Sequence, residues 1–501
     1  MRKVNRRLFL LGGAATAAAV GTLGASGLRA VAAPPFPYPF RLGVASGDPT
    51  PGGVVLWTRL APSPLNSDGL GGMGSANVDV EWQLSTTDTF TTLVRSGVFT
   101  ATQAAAHSVH IELDGLTPGA QYFYRFRAGG YISPVGRTRT APDPGAAVSS
   151  LTILTASCAS YPAGYYTAYR RMAEENAGLI LHLGDYIYES GSADVRAHSP
   201  ASEIMSLANY RVRHAQYKTD LDLQAAHASA PWMVVWDDHE VENNYAGLIQ
   251  QDPADGVNFR ARRANAYKAY WENMPLRASS LPVAENMQLY RRFSWGNLAT
   301  FHMLDTRQYR SDQCAAGNTT CVNSATRSIT GATQEAWLLD GMAASPATWE
   351  IIGQQVFFAA RNTSTDSWDG YKASRSRIQQ AWVDRGIANP VVLTGDVHAA
   401  WASDLKLNYS STTSPRVGVE FVTTSIGSGG DGSEGGGVNP DSANPHIKFH
   451  NSRRGYTRIT LTPAQVRADF RRLAYIRTPG APVSTVASYV SAAGSPGLVK
   501  V

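Results

Sequence analysis

Leu181-His182-Leu183-Gly184-Asp185-Tyr186-Ile187-Tyr188-Glu189 is an apolar run that ends at a glycine and then presents an acid and a phenol three residues apart. Three other stretches have the same form: Leu151-Thr152-Ile153-Leu154-Thr155-Ala156-Ser157-Cys158, Met233-Val234-Val235-Trp236-Asp237-Asp238-His239-Glu240, and Pro390-Val391-Val392-Leu393-Thr394-Gly395-Asp396-Val397-His398. Short apolar, largely β-branched runs read as strands buried on both faces, and strands of an α/β sheet deliver reactive groups at their carboxyl ends. The four runs therefore predict an α/β domain in which Cys158, Asp185, Tyr188, Asp238, His239, Asp396 and His398 converge.

The donor types define the chemistry of that point. A turn just past a strand end aims Asp185 and Tyr188 at one ion, and alternate strand residues face one way, which puts Asp396 and His398 on the same side. A carboxylate bridges two cations, and a phenolate is a hard anionic ligand that favours ferric iron over zinc. The set is rich in oxygen, with a little nitrogen and sulfur. A Gly-Asp pair alone is usually a turn and a lone buried His usually a core residue; four such ends in this order carry the reading.

With 501 residues, 43% hydrophobic and 17% charged, the chain has material for a large core and for two domains. Its net charge of +5 comes from the first 33 residues, which hold Arg2, Lys3, Arg6, Arg7 and Arg29 and no acid; the remainder balances 39 basic against 39 acidic residues. The basic footprint of a nucleic-acid-binding protein is absent, and no specific nucleic-acid binding is expected. Residues 1–33 combine a basic start, an Ala/Gly/Leu-rich middle and small residues at Ala30, Ala32 and Ala33, the form of a signal peptide, and Arg6-Arg7 resembles a twin-arginine signal for export of folded protein. A secreted or periplasmic protein that engages the twin-arginine export machinery is expected. Later residues offer no run near the roughly 20 apolar positions of a membrane span. A monomer is expected. Cys314 and Cys321 are placed to form a disulfide, and Cys158 is left over at a strand end.

In chain order, residues 38–142 alternate in short β runs and predict an all-β sandwich, with Tyr122 in Leu116-Thr117-Pro118-Gly119-Ala120-Gln121-Tyr122 placed as the tyrosine corner of an immunoglobulin or fibronectin-like domain. A linker follows at Thr140-Ala141-Pro142-Asp143-Pro144-Gly145, and residues 148–480 alternate strands with helices. Helices are predicted over Tyr166 to Asn176 and over Phe259 to Asn273, the latter stopped by Pro275, and strands over Ala299 to Leu304, Trp349 to Gln354 and Pro390 to Leu393. Gly427 to Gly437 reads as a flexible loop that can border the site, and residues 481–501 as a C-terminal tail.

The succession Gly184-Asp185-x-x-Tyr188, Asp238-His239-Glu240 and Gly395-Asp396-Val397-His398 resembles the calcineurin-like metallophosphoesterases, with Cys158, Asp238 and Asp396 where that superfamily has Asp, Asn and His. Trp236 to Asn244, Tyr267 to Pro275, Leu304 to Arg310 and Asp366 to Tyr371 are closer to the PhoD-type alkaline phosphatases, and this resemblance spans nearly the whole chain. It implies an α/β (α+β) four-layer metallophosphoesterase sandwich behind the β domain. It also implies a ferric ion on Cys158, Asp185, Tyr188 and His398, and a calcium ion facing Asp185, Asp238 and Asp396. Asn243 and Asn244 are candidates for a carbonyl ligand or a turn cap.

The expected activity is an exported, metal-dependent hydrolase of phosphate monoesters and diesters, in which a metal-activated water attacks phosphorus. Asp185 and Asp238 act through the metals, and His239, behind the ligands, gives a proton to the leaving group. Arg262, Arg307 and Arg361 are candidate phosphate clamps. Two alternatives stand beside this: a dedicated phosphodiesterase of phospholipase D-like activity, and a secreted binding protein whose metals only stabilise loops.

Overall fold

Two sheets built around the four ligand-bearing strands face each other. In the first, ten strands run in the order Ser495–Lys500, Val483–Ala492, Gln465–Leu473, Gly455–Leu461, Leu151–Ala156, Leu179–Leu183, Trp232–Val235, Val44–Thr50, Gly53–Arg59 and Ser108–Leu113. In the second, seven run as Arg291–Trp295, Ala299–Met303, Trp349–Gly353, Pro390–Thr394, Arg416–Val422, Ala400–Lys406 and Ile447–Asn451. Leu151–Ala156, Leu179–Leu183 and Trp232–Val235 are mutually parallel neighbours, as are Trp349–Gly353, Pro390–Thr394 and Arg416–Val422. This computed structural model describes residues 35–251, 258–434 and 443–501, so the expected leader at 1–33 and the Gly/Ser run beyond Glu434 lie outside the described residues.

Side-chain alternation accounts for the layering. Ile351, Val391 and Leu393 enter the core shared with Leu154 and Leu181 of the first sheet, while Ile352 and Val392 turn to the other side, against Leu338, Met342, Ile378 and Trp382 of the helices Gly331–Ala343 and Lys372–Asp384. The helices Thr167–Glu174 and Phe259–Asn273 contribute Tyr169, Met172, Tyr267 and Tyr270 to the first core. The result is the expected four-layer sandwich of helix, sheet, sheet and helix. Asn258 caps the longer helix by accepting the Ala261 N–H at 3.3 Å, and the helix ends at Asn273, ahead of Pro275, which cannot continue it.

The β-rich segment departs from a free-standing sandwich. Val80, Leu84, Tyr124 and Phe126 of its small sheet pack on Val44, Leu56, Val109 and Ile111, so two sheets do face each other, but the second is the edge of the ten-stranded sheet. Gly47 pairs with Trp232, and a Cβ there would lie 2.5 Å from the Pro275 carbonyl oxygen, so only glycine permits that approach. Trp57 Nε1–H donates to the Glu272 carbonyl at 3.0 Å, and Phe36–Val501 form one compact unit. The Tyr122 hydroxyl accepts the Thr117 N–H at 3.1 Å, as a tyrosine corner does. Cys314 and Cys321 are disulfide-bonded. The expected tail is corrected: Val483–Ala492 and Ser495–Lys500 are the outermost strands of the first sheet. Among the described residues no helix is long and apolar enough to cross a membrane.

Candidate metal centre

Parallel register brings three strand ends level. His182 pairs with Ala156 and Leu183 with Val235, so Cys158, Asp185 and Asp238 leave the first sheet side by side. Gly395, at the end of Pro390–Thr394, comes in from the second sheet, and a Cβ on it would lie 2.7 Å from Ser157 Cβ. Cys158, Asp185, Asp396 and His398 all adopt positive φ, at 58°, 56°, 66° and 51°, although none is glycine. Such conformations cost roughly 1–3 kcal/mol each and gather at functional sites, where the surrounding structure enforces them.

Two donor groups result. One ligand atom from each of Cys158, Asp185 and His398 lies within 4.8 Å of the others, and the same holds for Asp185, Asp238 and His239. Asp185 belongs to both. Its Oδ2 accepts the Tyr188 hydroxyl at 2.9 Å, and its Oδ1 is buried without a partner. The Tyr188 hydroxyl lies 3.2 Å from His398 Nε2 and 2.6 Å from Ser428 Oγ. The geometry thus gathers Cys158, Asp185, Tyr188 and His398.

His239 lies close to Asp185 and Asp238, as its place next to Asp238 in the sequence leads one to expect. Glu189 Oε2 holds its Nδ1 at 2.7 Å, and its ring lies against Tyr188 with centroids 4.2 Å apart. Asp396 belongs to neither group of three, although its strand end is where expected. Asn243 donates its backbone N–H to Glu189 at 2.9 Å and its side-chain amide to Gln251. Asn244, at φ 55°, is the turn residue, and its N–H donates to Asp238 Oδ2 at 2.7 Å.

The centre concentrates negative charge. Burial, then the carboxylates of Asp238, Asp237 and Glu240 against the opposing pull of His239, holds Asp185 well above the usual range. Asp396 is raised likewise, by burial and then by Asp237, Asp366 and Asp238. Burial and then Asp185 push up both the Cys158 thiol and the Tyr188 phenol. His398 is lowered to about 4 by burial, Arg454 and His239. Burial opposes charge on His239 too, but Glu189, Asp238 and Asp185 outweigh it and raise its pKa. A cation reverses this balance, since it favours ionised carboxylate, thiolate and phenolate together. The orphaned Asp185 Oδ1 and the mixed O, N and S donors fit a metal ion.

Two of the three candidate clamps are corrected. Arg307 is buried, with Nε on Asp237 Oδ1 at 2.5 Å and its two terminal nitrogens on Asp366 at 2.7 and 2.9 Å. Arg262 is held by Tyr210, Glu242 and Glu203 at 3.1, 2.9 and 2.6 Å. Both are already engaged by carboxylates of the protein. Glu189, Asp237, Glu240 and Asp366 lay inside the motifs read from the sequence yet received no role there. Ser428 lay in the Gly/Ser run, whose first residues do border the site: Gly427 and Ser428 donate N–H groups to the Cys158 carbonyl at 3.2 Å each.

Residues 153–470 match the model of the PhoD-like phosphatases, and residues 26–142 match that of the PhoD-like phosphatase N-terminal domain. The chain belongs to the PhoD-like phosphatase family. As such it is an enzyme, a hydrolase of phosphate esters. Alkaline phosphatase D of Bacillus subtilis (strain 168) is 49% identical over 492 residues, which cover 94% of this chain and 84% of that protein. A solved structure of PhoD aligns with a TM-score of 0.88 at 48% identity, over 93% of this chain and 92% of that one. A purple acid phosphatase from yellow lupin (Lupinus luteus) seeds aligns with a TM-score of 0.56 at 12% identity, over 89% of this chain and 73% of that one, a likeness of fold alone.

Proposed function

We propose that this PhoD-like phosphatase is an exported, monomeric alkaline phosphatase that hydrolyses phosphate monoesters and diesters at a mixed-metal centre. The observation that carries the reading is that Asp185 belongs to both donor groups, as a bridging carboxylate must. Cys158, Asp185, Tyr188 and His398 would hold a ferric ion, which the phenol and the thiol suit. Asp185, Asp238, Asp396 and the Asn243 carbonyl would face calcium, which prefers oxygen donors. When bound, the cations supply charge on the phosphate oxygens and acidify a water.

The protein groups do the positioning. Glu189 fixes the His239 ring through Nδ1, which leaves the other nitrogen to deliver a proton to the departing alkoxide. Arg307 holds Asp237 and Asp366 and lies 3.5 Å from Asp238, so the carboxylates keep their places as charge passes through the site. Export through the twin-arginine route accords with loading the centre before secretion; paired Arg6→Lys and Arg7→Lys substitutions should then retain the protein in the cell.

The deciding experiment is metal removal from the purified protein, with iron and calcium counted before and after. Hydrolysis of p-nitrophenyl phosphate should vanish while the far-UV circular dichroism of the folded chain persists, and return on adding both metals. Full activity in the stripped protein would sink the reading.

A further inference from the structure

We propose that Arg361 receives the phosphoryl group of the substrate and favours the dianion of a monoester over the monoanion of a diester. The inference rests on the hydrolase reading of the same site and names the residue that sets its substrate class.

The backbone carrying Arg361 is pinned on both sides. Phe358 and Ala359 donate N–H groups to Glu420 at 2.8 and 2.9 Å, and Arg361 and Asn362 donate theirs to Asp369 Oδ2 at 2.8 and 2.5 Å. The side chain lies on two rings, with its guanidinium carbon 4.8 Å from the Phe357 centroid and 4.6 Å from that of Trp401. Trp401 is three residues beyond His398, and Asp396 is near enough for its charge to act on the guanidinium. Arg361 therefore stands beside the strand end that carries Asp396 and His398.

Five other arginines are engaged by the protein. Arg262, Arg307, Arg310 and Arg375 each grip a carboxylate, and Arg454 is held by the His398 and Gly430 carbonyls and the Ser425 hydroxyl. The Arg361 guanidinium makes no hydrogen bond and no ion pair among the described residues, and its Nε is buried without a partner. Burial lowers its pKa against the opposing pull of Asp369, Asp396 and Glu420, none of which is hydrogen-bonded to the guanidinium. His450, whose ring centroid lies 4.0 Å from that of Trp401 with the planes tilted by 41°, is lowered to about 4 by burial and Arg361 and stays neutral near pH 7, so it brings no competing charge. A half-buried, aromatic-backed guanidinium with no anion bonded to it is a receptor for one, and its planar fork matches two phosphoryl oxygens. A monoester dianion offers the fork more charge than a diester, whose second alkoxy group replaces an oxygen anion.

Arg361→Ala and Arg361→Lys, prepared as metal-loaded full chains, test this. The alanine variant should raise KM for p-nitrophenyl phosphate and Ki for inorganic phosphate by roughly tenfold to a hundredfold, the loss of one charge-assisted contact. KM for bis(p-nitrophenyl) phosphate should move by less than about threefold, with iron and calcium content unchanged. Lysine should recover part of the loss, and free guanidinium should partly restore the alanine variant, which a merely structural arginine would not allow. An unchanged Ki for phosphate, or equal losses on both esters without rescue, overturns the assignment. Should the alanine variant fail to fold, Arg361→Lys decides alone, since Ki and KM equal to wild type on both esters again overturn it. Wild-type protein that carries metals yet hydrolyses neither ester refutes the hydrolase reading instead; calorimetric phosphate binding that is lost in Arg361→Ala would still uphold Arg361.

Discussion

Glu240 Oε2 accepts the backbone N–H of Asp185 at 3.1 Å. The same oxygen takes the Asp237 N–H at 2.8 Å and Oε1 takes that of Tyr186, so one carboxylate ties the loop after Leu179–Leu183 to the loop after Trp232–Val235. The two loops carry Asp185 and Asp238, and Glu240 sets their spacing. In Glu240→Gln an amide NH2 must face one of these N–H groups, which costs about 1–3 kcal/mol of stability. Metal affinity should fall by roughly 10- to 100-fold, because the supports of metal ligands matter on that scale. Denaturant titration and metal-binding isotherms of the variant measure the two losses. Wild-type metal affinity in Glu240→Gln would remove Glu240 from the account.

Arg307 bears on three acids at once. Replacing it by Met leaves buried Asp237 without its cation and takes from Asp366 one of two, and the removal of one partner of such a pair costs about 3–5 kcal/mol. Asp366 keeps Arg310 at 2.6 Å, so the lower end of that range is expected. Arg307→Lys should recover only part, since an ammonium cannot span Asp237 and both oxygens of Asp366. The urea midpoints of the two variants check the ordering, and a methionine variant as stable as wild type contradicts the bracing role.

Leu181 to Glu189 and its three companions were legible because strands buried on both faces must be apolar throughout, and because chemistry gathers where such strands end. The ion-pair braces were not: Arg307 meets Asp366 across 59 residues, and nothing local in either segment names the other. Arg262, Arg307 and Arg361 look alike as letters, yet burial gives two of them carboxylates and leaves the third without one. The C-terminal hairpin was missed because Val483–Ala492 mixes Val, Ser and Ala and takes its burial from the neighbouring strand Gln465–Leu473. The join between the β-rich segment and the main sheet rests on the pairing of Gly47 with Trp232, a contact between distant residues with no signature of its own.

Tyr188 offers an optical test. Its hydroxyl sits between Asp185 Oδ2 and His398 Nε2, where a phenolate on a ferric ion would give a visible charge-transfer band. Tyr188→Phe removes one oxygen and little volume, so the fold should persist while the band disappears. Iron content measured alongside separates loss of the ligand from loss of the ion. A variant that keeps both its iron and the wild-type absorption contradicts the assignment of Tyr188 as an iron ligand.

A pH dependence of stability is built in away from the centre. His302 Nδ1 accepts Arg292 Nε–H at 3.0 Å, so its Nε2–H donates to Glu350 Oε2 at 2.7 Å, with both side chains buried. Burial raises Glu350 from 4.5 to about 8, and burial with Arg292 lowers His302 to about 3, so both are neutral near pH 7. A carboxyl whose folded pKa exceeds its unfolded value holds a proton that the unfolded chain releases. Its contribution is complete below about pH 4.5 and is lost as pH rises through about 8. Glu350→Gln keeps an acceptor for the His302 N–H and removes the titration. The melting temperature of wild type should therefore fall more steeply than that of the variant between about pH 5 and pH 8. Parallel slopes across that window would show that Glu350 ionises in the folded state as it does in the unfolded one.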